Sequence, residues 1–191
     1  MPDIPTGRFV GSVVYDLPAA GRLGAPARAV LGGWTVSSTF TRTTGNFLTA
    51  LWTGPDPTGT RFANNRTAPQ VTLRPDILRG ANLANPSLNQ WFDVAAFTAP
   101  AAGRFGTSGA GNIIGPGMSV LNAGLYKTIS FRERLRLRLE FTASNALNHA
   151  NYNNPNMNIT NVGQAGVINS IRSGLDLPSQ RDMRSGLRFE F

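Results

Sequence analysis

Apolar and polar residues take strict turns along several stretches of this chain. In RLRLRLEFTASNAL the apolar positions are Leu135, Leu137, Leu139, Phe141 and Ala143, and the polar ones are Arg136, Arg138, Glu140, Thr142 and Ser144. A helix would smear both sets around its circumference, whereas a strand puts each set on one face. The last residues repeat the pattern, with Met183, Leu187, Phe189 and Phe191 on one side and Arg184, Arg188 and Glu190 on the other. Near the start, Phe9, Val13, Tyr15 and Leu17 alternate with Arg8, Ser12 and Asp16. In GGWTVSSTFTRTTG the apolar face is Trp34, Val36 and Phe40. In SVLNAGLYKTISF it is Leu121, Ala123, Leu125 and Ile129, interrupted by Lys127.

These patterns predict an all-β chain: an antiparallel up-and-down meander of about five long strands, near 8–17, 34–52, 119–130, 134–147 and 181–191. The connections differ in length. Residues 18–32 form a moderate one, the turn after Phe131 is tight, and 53–118 and 148–180 are long. Loops of such length are uncommon in compact soluble domains and are usually functional. Short connections on one side and long ones on the other are the plan of transmembrane β-barrels. With the last strand running inward, both long connections fall outside. The whole of 1–191 then reads as one section of an outer-membrane barrel domain, with 53–118 and 148–180 as extracellular loops. Five strands are too few to close such a barrel, which takes at least about eight.

Register follows from the shared apolar face. Residues opposed on paired strands point the same way, so Leu125 and Ile129 can join Leu137 and Phe141 only if paired residue numbers sum to an even value. The expected pair is Phe131 opposite Leu135, with Arg132, Glu133 and Arg134 as the loop, or a near variant of the same parity. Lys127 then falls on the apolar face near the inner interface, its stem free to snorkel toward headgroups. Arg136, Arg138, Glu140 and Arg188 are expected to line the watery interior.

Composition narrows the chemistry. The 191 residues are 41% hydrophobic and only 15% charged, with 21 Gly and 13 Pro, a turn-rich balance with fewer charges than usual. There is no Cys and one His, His149, which leaves little for a metal site or a nucleophile–His pair. The formal charge is +8, yet every basic residue but Lys127 is Arg, and no stacking aromatics interleave with the arginines of RERLRLRLE. That argues against nucleic acid. No close carboxylate pair suggests acid–base work. GTSGAGNIIGPG lacks the GK[ST] of a phosphate loop and reads as turn material. The expectation is therefore no enzyme, no catalytic or metal-binding residues and no cofactor. No apolar run approaches the roughly 18 residues of a membrane helix, and MPDIPTGRFV shows no signal peptide.

The ending is the most specific motif. Arg184-x-Gly186-x-x-Phe189-x-Phe191 resembles the assembly signal of bacterial outer-membrane barrels, in which Gly186 would permit close backbone approach and Phe189 and Phe191 would present their rings. More of the chain is similar to the C-terminal barrel portion of TonB-dependent receptors, the Oar-like kind that carries a carboxypeptidase-regulatory-like domain. The stretches are RFVGSVVYDLP, LGGWTVSSTFTRTTGNFLTA, NPSLNQWFDVAAFTAPAAGRFGTSGAGNIIGPG and LNAGLYKTISFRERLRLRLEFTASNALNHANYNNPN, with the terminus.

The resemblance implies a transporter wall in the outer membrane of a Gram-negative-type bacterium. Its implied partners are outer-membrane lipid, the rest of its own barrel and plug, the barrel-assembly machinery and, through a missing N-terminal part, the TonB complex. It also implies that the chain is a fragment without signal peptide, plug and most strands. Trp91, Phe92, Phe97, Phe105 and Tyr152 are candidate ligand contacts in the loops, with packing inside the loops as the competing role. The alternative is a soluble all-β binding module, carbohydrate-directed through Trp91, Phe92 and the Asn-rich loop. A continuous exposed apolar band would favour the membrane reading, and a second sheet covering it the soluble one.

Overall fold

The computed structural model describes residues 5–18, 24, 27, 30–59, 70–131, 135–174 and 179–191. The chain divides into two compact units. One comprises residues 8–43, 118–151 and 172–191, and the other residues 1–7, 44–117 and 152–171.

The first unit is a single antiparallel sheet of five strands: β1 (Arg8–Asp16), β2 (Trp34–Thr43), β3 (Met118–Phe131), β4 (Leu135–Ser144) and β5 (Asp182–Glu190). Their order across the sheet is their order along the chain, an up-and-down meander. It is open: among the described residues β1 and β5 are not paired with each other. Phe131 pairs with Leu135, the expected pair and one of the even-sum registers, and Ile129 with Leu137, Lys127 with Leu139 and Leu125 with Phe141. Residues 132–134, expected to form the loop, lie outside the described residues. On the other side of β3, Leu125 pairs with Val36 and Leu121 with Phe40. Tyr15 pairs with Val36, and Leu187 and Phe189 pair with Leu139 and Leu137.

Every pairing therefore keeps one apolar face across all five strands, and its side chains stand open. Val13, Tyr15, Phe131, Phe141, Met183, Leu187 and Phe189 are all exposed. Aromatics mark both ends of the band. Phe9 sits 6.3 Å from Phe40 at one end, and Trp34, Phe131 and Phe189 lie toward the other. The opposite face carries Thr35, Ser37, Thr39, Asn122, Tyr126, Thr128 and the arginines of β1, β4 and β5, with Val10 and Val14 of β1 and Met118 and Val120 of β3 as apolar exceptions.

Strand ends depart from the expected ones for local reasons. The second strand, expected over 34–52, stops at Thr43. At Gly45 the chain passes so close to Gly115 that an added Cβ would sit 1.8 Å from the Gly115 carbonyl oxygen. Residues beyond it pair elsewhere: Phe47–Leu48 with Ile113–Ile114, and Trp52–Pro55 with Gln70–Leu73. The fourth strand, expected to reach 147, stops at Ser144. Asn145 and Asn148 both adopt left-handed backbone, with φ 49° and 52°, a conformation asparagine tolerates better than most residues.

The second unit holds the segments expected as long loops, and these are folded rather than loose. Leu48, Ala50, Ala81, Phe92, Ala96, Phe97 and Ile113 form its core, with Trp91, Met157 and Ile159 packed on it. The two long connections are tied together by backbone hydrogen bonds. Leu51 N–H donates to Met157, Ile159 N–H to Leu51, Trp91 N–H to Gly166 and Ile168 N–H to Leu88. Among the described residues no helix is long and apolar enough to cross a membrane, which leaves crossing by strands untouched.

Candidate functional site

The polar face of the sheet gathers the four residues expected to line an interior. Arg136, Arg138, Glu140 and Arg188 all stand on it. Arg138 Nε lies 2.7 Å from Glu140 Oε1, and its guanidinium stacks 5.3 Å from the Tyr126 ring. Arg188 pairs likewise with Glu190 at 3.3 Å, and Arg184 with Asp182 at 2.7 Å. Around them runs a hydroxyl-rich wall. Ser12 and Thr39 share a hydrogen bond of 3.3 Å, and Thr35 Oγ1 donates to Asp16 at 2.5 Å. A shallow concavity is lined by Thr35, Ser37, Tyr126, Thr128 and Arg138. Such a surface can exchange hydrogen bonds with a polar partner or with water. His149 stands apart in the turn after β4.

That turn is built by asparagine. The amide of Asn145, fully buried, accepts from His149 N–H and donates to His149 carbonyl, both at 3.0 Å. Asn151 Oδ1 accepts from Ser119 N–H at 2.7 Å and its Nδ2 donates to Ser119 carbonyl. Asn148 Oδ1 accepts from Arg181 N–H. The side-chain amides act as extra peptide groups where the ladder ends.

In the folded loop unit the five candidate ligand contacts separate. Phe92 and Phe97 are buried and pack edge to face, ring centres 6.0 Å apart at 82°. This corrects their expected role: those rings fill the loop core and are withdrawn from any ligand. Trp91 is half-buried and its Nε1 donates to Ile114 carbonyl at 2.8 Å. Beside it a small cleft is lined by Leu83, Pro86, Trp91 and Ile114. Tyr152 is half-buried in a bridge with Ile171, and Phe105 is exposed.

The node that organises this unit is a carboxylate that the sequence pattern did not single out. Asp76, buried, accepts both Nη atoms of Arg104 at 2.7 Å, Thr107 N–H at 2.9 Å and Ala101 N–H at 3.1 Å. The Arg104 hydrogen bonds above all, helped by the two backbone donors, outweigh desolvation and hold its pKa down at about 2. At Gly106 an added Cβ would meet the Arg74 carbonyl oxygen at 2.0 Å, so only glycine lets the chain close around the node. Asp93 is a lesser version, capping the 3₁₀ turn Val94–Ala96 and pairing with Arg79 at 2.7 Å. A lone Asp in a Pro-rich stretch carries no periodic signal; its only clue was the Arg-x-Gly spacing at 104–106.

At the terminus, the residues of the assembly-type motif divide between faces. Arg184 and Gly186 are on the polar face, and Phe189 is on the apolar one. Phe191 lies past the last paired residue and is fully exposed. In the folded sheet Gly186 is not crowded. A Cβ there would meet Glu140 Cβ at 3.7 Å, an ordinary contact, because the residue opposite turns its side chain along its own strand toward Arg138.

No curated protein and no solved structure matches the chain. A family model does, over residues 4–184, which takes in all but the last six residues of β5. That model describes an outer membrane beta barrel domain, and with the open two-faced sheet on the same residues it excludes the soluble-module alternative. The chain belongs to the outer membrane beta barrel domain family and is an outer-membrane β-barrel protein of the Gram-negative type.

Proposed function

We propose that this chain is a wall section, with its two long loops, of a TonB-dependent outer-membrane receptor of the Oar-like kind that takes up a ligand. The apolar band faces lipid and the polar face lines the lumen. The outer edges of β1 and β5 pair with further strands of the same barrel, because unpaired backbone groups are too costly in hydrocarbon. The reading involves binding and passage and no catalytic step. The plug and the TonB contact belong to parts of the receptor outside this chain.

The observation that carries the reading is the shared core of the two long connections. A barrel that only needs to sit in a membrane gains nothing from loops folded around Phe92 and the Asp76 node. A receptor needs a preorganised outer surface, since ordering loops at the moment of binding costs affinity. Register makes both connections leave the sheet at one end, for Thr43 pairs with Met118 and Ser144 with Asp182.

The test is genetic. The gene and TonB are removed singly and together, and growth is compared on limiting siderophore-bound iron, vitamin, glycan and peptide sources. On one source the two single losses are expected to give the same defect, and the double loss no more. A defect of the gene deletion that persists at full size in cells already lacking TonB overturns the proposal.

A further inference from the structure

Among the described strand residues two charges stand on the apolar face: Arg42, exposed at the long-connection end, and Lys127, buried near the other. The Lys127 ammonium donates to the carbonyls of Val30 and Gly32, both at 2.8 Å, and lies 5.2 Å from the centre of the Trp34 ring. Trp34 Nε1 donates to the same Val30 carbonyl at 2.9 Å. Gly33, with φ of 70°, turns the chain back into β2. The end of the β1–β2 connection is therefore folded over the apolar face rather than hanging clear of the sheet. Its own side chains then face outward: Val30 is 64% and Leu31 59% exposed.

Two apolar side chains held open on a pinned turn, continuous with an apolar band, fit one surroundings. We propose that the 30–33 turn is a membrane-interface anchor. In it Val30 and Leu31 enter the headgroup–acyl boundary of the phospholipid leaflet at the short-connection end, and Lys127 and Trp34 clamp the turn from beneath. The proposal rests on the reading that the band faces lipid. The clamp answers two needs at once. An ammonium at membrane depth requires acceptors, and the carbonyls of an irregular turn require donors when water is scarce. Trp34 is a residue type favoured at that boundary, with its ring apolar and its N–H satisfied.

The test uses the intact protein in isolated, freeze–thawed outer membranes. The chain has no Cys, so Leu31→Cys and Leu187→Cys each give it a single thiol, and labelling of the unsubstituted protein is subtracted as background. Each protein is exposed to a lipid-soluble maleimide and to a membrane-impermeant charged one. Both thiols are expected to react with the first and to be lost to the second. Adding Lys127→Met to Leu31→Cys is expected to restore reaction with the impermeant reagent, while Leu187→Cys carrying the same change stays protected. Reaction of Leu31→Cys with the impermeant reagent while Leu187→Cys resists it overturns the anchor and leaves the lipid-facing band standing. Reaction of Leu187→Cys itself defeats the band, and the anchor with it. If Lys127→Met leaves Leu31→Cys protected, the clamp is refuted. If that variant fails to insert, the Leu31→Cys result in the native background decides.

Discussion

Arg138 and Arg188 stand directly opposite each other on paired strands, two like charges at one rung, each held by a glutamate two residues further along its own strand. Opposed like charges weaken a sheet unless something separates them. Here Glu140 and Glu190 do so, and Tyr126 takes one guanidinium against its ring.

Because this rung is wet, Arg138→Leu is expected to change folding stability by less than about 1 kcal/mol, the usual limit for an exposed ion pair. Its neighbour Leu139, on the apolar face, should behave oppositely: Leu139→Arg is expected to cost about 2–4 kcal/mol near mid-membrane. Denaturant titration of the intact protein in lipid vesicles measures both. Equal effects would contradict the assignment of the two faces.

The Asp76 node should respond to acid. Its folded-state pKa lies below the ordinary carboxylate value of 3.8, at about 2. The stabilisation is therefore complete above the unfolded value, declines as pH falls between the two, and is gone below the folded one. Exchange protection of the Ala101 and Thr107 amides, which donate to this carboxylate, is expected to fall across that window. Asp76→Asn should lower protection at neutral pH and abolish the acid step.

Asn145→Ala is expected to cost about 2–3 kcal/mol, from two buried hydrogen bonds and a left-handed backbone that alanine resists. Asn145→Gly, which keeps the backbone conformation, should cost less. A cost for Asn145→Ala no larger than for the exposed Asn161→Ala would show that the amide does not organise the turn.

Phe191 has no packing to lose, and Gly186 has room for a methyl group. Phe191→Ser and Gly186→Ala are each expected to leave refolding in detergent within about 0.5 kcal/mol of wild type, as surface changes do. Insertion into the outer membrane of cells should nevertheless drop, since the motif would be read on an unpaired strand during assembly. If insertion and refolding move together, the ending is only sheet edge.

The long strands were legible in the sequence because alternation is a two-residue signal that each strand repeats three to five times. Parity then limited the β3–β4 pairing to registers with an even sum, and the tight turn after Phe131 narrowed it to the observed Phe131–Leu135 pair or its near variants. The loop unit was not legible in the same way. Its strands are as short as Phe47–Leu48, and its centre is one carboxylate whose donors lie up to 31 residues away. Phe92 and Phe97 show the ambiguity most sharply, since an aromatic in a long loop can serve a ligand or the loop's own core, and only packing distinguishes the two. Lys127 was legible as a break in the pattern, but its partners, two backbone carbonyls, leave no trace in side-chain chemistry.

The register carries one more consequence. Along β3, the residues bonded to β2 run from Met118 to Lys127, whereas those bonded to β4 run from Ala123 to Phe131. Both ends slide the same way, and averaged over the four pairings the strand midpoints climb by about one residue per strand across the sheet. With roughly 3.3 Å per residue and 4.8 Å between strands, that stagger corresponds to a tilt of about 35°. A ten-residue strand at this slant rises about 27 Å, close to the roughly 25 Å height of the lipid-facing belt of an outer-membrane barrel. The hydrophobic thickness this wall suits is thus set by how far its hairpins slip past one another, and any strands that complete the cylinder must continue the same shear.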